Sequence, residues 1–262
     1  MRARAAVFCF HDIVPADRVD RVPTTHRPYV LTPDEFRALM VEARASARRA
    51  IPVGQVPSEL GGAFYSLTFD DGAASDYEIA FPTLRELGLR ATFFVVPTLV
   101  DTPGYATWAQ LREMVAAGME VGSHSLTHPF VHELDRAGVE REFGESKRLL
   151  EERLGVAVRS ASLPRGWESP ALRGVLAELG YKAFCTSRVA WWYVGGDALA
   201  IPRVAVRRGM LVDDFGAIVN ATPRALWRMQ AIEAAKNAAK ACLGLQGWQR
   251  LREPLLALRE RA

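Results

Sequence analysis

Between Ala5 and Val206 the chain alternates strand-length apolar runs with capped helical segments. This alternation restricts the fold more than any other feature, because parallel neighbours in a sheet need a crossover, usually a helix, between them. Apolar runs at Ala5 to Phe10, Tyr65 to Phe69, Ala91 to Val96, Met119 to Ser123, 160–163, Tyr181 to Thr186 and Ile201 to Val206 read as strands. Between them stand helix signals. Thr32 with Pro33 and Glu35 forms a capping box ahead of a face made by Phe36, Leu39, Met40 and Ala43. Further helices run over 79–87 to a stop at Gly88, from Thr107 through Leu111 and Val115 to Gly118, over 135–154 to Gly155, and from Ser169-Pro170 to Gly180. The order predicts an α/β fold, a parallel sheet closed into a barrel or something near it, over residues 1–222. Residues 223–262, rich in Ala, Lys and Arg with a turn around Gly244 to Gly247, are expected to form an appended C-terminal helical hairpin packed on the barrel.

Composition narrows the class of function. With 262 residues, 49% hydrophobic, the chain can bury a sizeable core. A formal charge of +3 spread over 33 basic and 30 acidic residues gives no field that points to nucleic acid. Cys9, Cys185 and Cys242 are distant from one another and flanked by apolar residues, which reads as reduced core thiols. The apolar stretch after Met1-Arg2-Ala3-Arg4 is too short for a signal core, and no run is long enough to cross a membrane, so a cytoplasmic location is expected.

Residues fit for chemistry fall at the ends of the expected strands, where a βα barrel gathers its active site. His11 follows the first strand, Asp70-Asp71-Gly72 the second, and His124-Ser125-Leu126-Thr127-His128 a later one. An isolated Asp-Asp-Gly is most simply a solvated turn. Here Leu67-Thr68-Phe69 puts it at a strand end, and a histidine pair reaches a neighbouring end. One carboxylate and two imidazoles complete the three protein ligands of a catalytic divalent-metal site, Zn²⁺ above all, and leave one position for water. The other aspartate is then free to act as a base. Histidines four apart point the same way on a helical turn, but Pro129 pushes His128 out of the helical region, so the pair is expected on a loop turn.

Thr68-Phe69-Asp70-Asp71-Gly72 and His124-Ser125-Leu126-Thr127-His128-Pro129 resemble the first two motifs of the polysaccharide deacetylases, carbohydrate esterase family 4. The resemblance implies a distorted (β/α)7 TIM-like barrel and metal-dependent hydrolysis of an N-acetyl group on an amino sugar. It assigns Asp71, His124 and His128 as metal ligands and Asp70 as catalytic base. Two departures stand out. Where the family's third motif has an arginine that orients the base, this chain has Ser162-Leu163-Pro164-Arg165-Gly166, so Arg203 is taken as the substitute and Arg165 as the second choice. The family's late histidine acid is also missing, since no histidine follows His132. Phe8-Cys9-Phe10-His11 is similar to the permuted arrangement of poly-N-acetylglucosamine deacetylases, which makes His11 the expected general acid.

The expected substrate is therefore an amino-sugar polymer or oligosaccharide, with a place in exopolysaccharide synthesis. Two alternatives are a metal-dependent amidase for a small linear or cyclic amide and a non-catalytic glycan-binding relative. Trp167, Trp191 and Trp192 follow strands and could stack on sugar rings, although loop packing explains them as well. The hairpin, carrying Trp227, Lys236, Lys240, Trp248 and Arg250, is read as covering one end of the barrel, with membrane or partner contact as the alternative.

Overall fold

The computed structural model describes residues 3–59, 63–236 and 238. Its strands are β1 (Arg4–Phe10), β2 (Arg49–Ala50), β3 (Phe64–Phe69), β4 (Thr92–Val95), β5 (Glu120–Ser123), β6 (Ser160–Ser162), β7 (Ala183–Cys185), β8 (Trp192–Tyr193) and β9 (Val204–Ala205). The helices are α1 (Pro33–Ala45), α2 (Phe81–Glu86), α3 (Trp108–Ala116), α4 (Arg136–Leu154), α5 (Leu172–Glu178) and α6 (Val212–Val219).

The sheet runs β7-β6-β5-β4-β3-β1-β8, with β2 added beside β3 and β9 beside β1. All of these pairings are parallel except that of β8 with β1. Ile201, just ahead of β9, bridges Cys185 of β7. The segment 201–205 therefore joins the far strand to the first, and the sheet curls into a distorted barrel of the expected kind.

Side-chain alternation then decides what lies inside. Ala5 and Val7 share one cluster with Phe94, Ala183, Cys185 and Ile201, whereas Ala6, Phe8 and Phe10 share the other with helix residues Phe36 and Phe215. The outer layer holds the helices on, with Phe10 and Phe69 stacked at 5.1 Å and Phe69 and Phe93 at 4.7 Å. Each such buried ring contributes on the order of 1.5–3 kcal/mol by leaving water. The inner layer is partly polar: Thr92 and Ser160 donate to Glu120, at 2.7 and 2.8 Å. A Cβ at Gly122 would sit 2.6 Å from the Phe94 ring, so the interior is filled.

The capping boxes at Thr32/Glu35 and Thr107/Gln110 are both formed, and Asp135 caps α4, which ends at Gly155 in the left-handed conformation. Several elements differ from expectation. The helix placed over 79–87 begins as a wide π-helical turn at Asp76–Ala80 and becomes α-helical only at Phe81, with Pro82 in its first turn. The strand placed over 201–206 is an isolated bridge plus two residues. The strands β2 and β8 were not anticipated, because two residues carry no periodicity, nor was helix α6, whose N-cap Leu211 offers no capping side chain. Of the C-terminal hairpin, residues 227–236 are helical; its turn and second arm lie outside the described residues. Among the described residues no helix is long and apolar enough to cross a membrane.

Candidate active site

The strand ends bring two groups of side chains together at the C-terminal mouth of the barrel. The first group is its floor. Asp70, one residue past β3, donates its N–H to the Phe10 carbonyl at 3.0 Å, which fixes it beside β1. Its carboxylate meets Arg203 in a two-pronged pair, Nη1 to Oδ1 at 2.7 Å and Nη2 to Oδ2 at 2.8 Å, with both residues 3% exposed. Arg203 also donates to Thr68 Oγ1 and to the Thr186 carbonyl, each at 3.2 Å. The Cys9 thiol and the Ser162 hydroxyl complete the shell around Asp70, at 3.4 and 3.3 Å. Burial alone pushes the Asp70 carboxyl up, but Arg203, then His124, outweigh it and hold the group well below the usual carboxylate range.

The second group is the rim. Asp71 adopts φ 80°, a left-handed conformation unusual outside glycine, and this turns its carboxylate away from the floor. Its Oδ1 lies 3.4 Å from Nε2 of His124 and 3.4 Å from Nε2 of His128. Donors about 2.1 Å from a shared ion at tetrahedral angles lie about 3.4 Å apart, so this oxygen and two nitrogens fit a divalent cation. Burial again raises the Asp71 carboxyl, but contact with His124 brings it to about 2. His128 is drawn down to about 4, first by burial and then by His124. The Nε2 atoms of both imidazoles converge on the one carboxylate oxygen.

The loop that holds the histidines is not a helical turn. Ser125 and His128 sit at φ 63° and 60°, in the left-handed region, and the fourfold spacing reflects a folded-back loop. Glu142 of α4, buried, locks it: its carboxylate accepts from the N–H groups of Leu126 and Thr127 at 3.0 and 2.9 Å and from the Thr127 hydroxyl at 2.8 Å. Ser125 Oγ accepts from the His128 N–H at 3.0 Å. Left-handed residues of this kind persist where the surroundings over-determine them.

His11, directly after β1, presents ligand-type atoms within 4.8 Å of those of Cys9 and Asp70, and burial lowers its pKa. Its ring lies 5.1 Å from that of Tyr29. Arg165 does not reach Asp70. Its Nε donates to the His128 carbonyl at 3.1 Å, and its guanidinium lies 4.4 Å from the centre of the Phe130 ring. Trp167 borders the site, 5.9 Å from the His132 ring, whereas Trp191 and Trp192 are buried in the barrel wall and present no free face for a sugar. Trp227, 62% exposed, stands on the C-terminal helical segment. Sequence reading missed Glu142, Cys9 and Thr68 as site neighbours. Glu142 carries no motif, but Cys9 and Thr68 stand at inward positions of strands whose next inward residues, His11 and Asp70, were singled out.

A curled parallel barrel with imidazole and carboxylate donors at one mouth is the layout of barrel enzymes. Residues 59–184 match the family model for polysaccharide deacetylases. His11 and Arg203 lie outside this stretch. Among curated relatives, YxkH of Bacillus subtilis is 27% identical over 153 residues, 58% of this chain and 55% of that protein. The chitooligosaccharide deacetylase of Sinorhizobium fredii is 37% identical over 86 residues, 32% of this chain and 38% of the relative. The chain thus spans about half or less of the length of these two relatives. The deacetylase PplD of Streptococcus pyogenes, solved with acetate, shares the fold with a TM-score of 0.73 at 21% identity, covering 81% of this chain and 96% of that one.

Proposed function

We propose that this protein removes N-acetyl groups from an amino-sugar glycan by metal-dependent hydrolysis, with Asp71, His124 and His128 holding the cation, Asp70 as base, Arg203 orienting Asp70, and His11 as acid. The observation that carries the reading is the convergence of Asp71 Oδ1 with both Nε2 atoms beside a carboxylate that Arg203 keeps ionised. The donor set, one carboxylate oxygen and two imidazole nitrogens, suits Zn²⁺. When bound there, such a cation supplies Lewis-acid chemistry, acidifying water and polarising a carbonyl.

The chain's own groups do the rest. Paired with Arg203, Asp70 stays charged across the physiological range and can accept the proton of the water that attacks the acetamide carbon. His11, on the same side as Asp70, gives a proton to the nitrogen as the C–N bond breaks, so that acetate and a free amine leave. Arg203 holds both oxygens of Asp70, which fixes the direction in which the base faces.

The glycan is favoured over a small amide by the relative named for chitooligosaccharides. The test is acetate release from N-acetylated chitooligosaccharides and from small linear and cyclic amides, after chelation and re-addition of Zn²⁺. Metal-restored release from the oligosaccharides is expected; turnover of the small amides alone would move the reading to an amidase, and no turnover with metal retained would move it to a glycan-binding relative.

A further inference from the structure

Position 162, where the family resemblance leads one to look for an arginine, holds a serine at the heart of the site. Ser162 is fully buried at the end of β6. Its Oγ lies 2.6 Å from Nδ1 of His124 and 3.3 Å from Oδ1 of Asp70, both deeply buried at 2% and 3% exposed. It is thus the one side chain with described hydrogen bonds to both His124 and Asp70.

We propose that Ser162 is a positioning residue: its hydroxyl fixes which nitrogen of His124 is free to hold a cation and, once the cation is in place, turns onto Asp70. This rests on the reading of Asp71, His124 and His128 as the cation-binding group. A neutral imidazole carries one N–H. If Nε2 gives its lone pair to a cation, the hydrogen sits on Nδ1, and at 2.6 Å its acceptor is Ser162 Oγ. The serine's own hydrogen is then excluded from His124, and its remaining described acceptor is Asp70 Oδ1. Without a cation the opposite order fits the same heavy atoms: Ser162 donates to Nδ1, and the Nε2 hydrogen faces Asp71 Oδ1 at 3.4 Å. Occupancy of the rim therefore sets a hydrogen bond on the floor. Partners behind a ligand's far nitrogen hold its ring and tautomer, and their removal typically lowers metal affinity about 10–100-fold. An arginine at 162 could not do this, because a guanidinium donates and cannot accept from Nδ1–H.

The experiment measures Zn²⁺ affinity against a competing chelator for the full chain, Ser162→Ala, Ser162→Thr and His128→Ala, with unfolding midpoints as a check on folding. Long-range ¹H–¹⁵N spectra of the wild-type protein report the His124 tautomer with and without Zn²⁺. Expected are a roughly 10–100-fold weaker affinity in Ser162→Ala, recovery in Ser162→Thr, and an Nδ1-protonated His124 in the loaded wild type. The wild-type spectra decide the tautomer even if the threonine does not fit. Unchanged affinity in folded Ser162→Ala, or a loaded His124 protonated on Nε2, overturns the inference while leaving the cation-binding reading intact. If His128→Ala binds Zn²⁺ as tightly as wild type, or wild type does not bind it, that reading falls and this one with it.

Discussion

Asp70 and Asp71 are chain neighbours, yet they belong to opposite kinds of structure. The floor around Asp70 is built from inward residues of strands, buried, with its charge met by Arg203. The rim around Asp71 is built from loop backbone in left-handed conformations, its carboxylate 38% exposed and faced by two imidazoles. The floor is held by an ion pair, the rim by the grip of Glu142 and Ser125 on the loop. The difference teaches that one dipeptide can supply a fixed group and an approachable one when a single backbone torsion separates them.

Substitutions can break this contrast at graded cost. Asp70→Asn and His11→Asn should each lower turnover by roughly 10²–10⁴-fold while Zn²⁺ content by elemental analysis stays at the wild-type level. Loss of metal from Asp70→Asn would show that floor and rim are one unit. Arg203→Met should destabilise the fold by about 3–5 kcal/mol in urea unfolding, because it strands the buried Asp70 carboxylate. The double variant Arg203→Met/Asp70→Asn should recover part of that loss. Glu142→Gln should cost about 1–3 kcal/mol and weaken Zn²⁺ binding, since an amide cannot accept all three hydrogen bonds of the loop; normal affinity there would mean the loop keeps its shape unaided.

The smallest effect is one of pH on the metal-free protein. His128 titrates near 4 in the fold, drawn down by burial and then by His124, against about 6.5 when unfolded. Between those values the unfolded chain binds more protons, so stability is full above about 6.5 and declines as the pH falls toward 4. Denaturant midpoints should record that decline, and it should shrink in His128→Gln.

The barrel was legible because strand and helix periods alternate and the helix caps at Thr32, Thr107 and Asp135 are local chemistry. The rim residues were legible for a similar reason: His124 follows β5 directly, Asp71 stands two residues past β3, and His128 lies in the loop that His124 opens. Arg203 was chosen over Arg165 by its place beside a strand, and its contact with Asp70 is a long-range pairing that no local pattern encodes. Glu142 escaped notice because its partners are backbone N–H groups of another loop. The two-residue strand β8 escaped because pairing with β1, not propensity, makes it a strand.

Of the described strands, β1 comes first in sequence and is completed last. Phe8 pairs with Leu67 on one side and with Val204 on the other, so one edge of β1 stays open until almost the whole barrel sequence has left the ribosome. Such distant pairing gives a high contact order and slow closure. Arg203 arrives in the same few residues as β9, so the nascent chain carries Asp70 without its counter-charge until the seam zips shut. Closing this seam and supplying the counter-charge of Asp70 depend on the same short segment, and a chain released short of residue 203 is left with both an open sheet edge and an unanswered carboxylate.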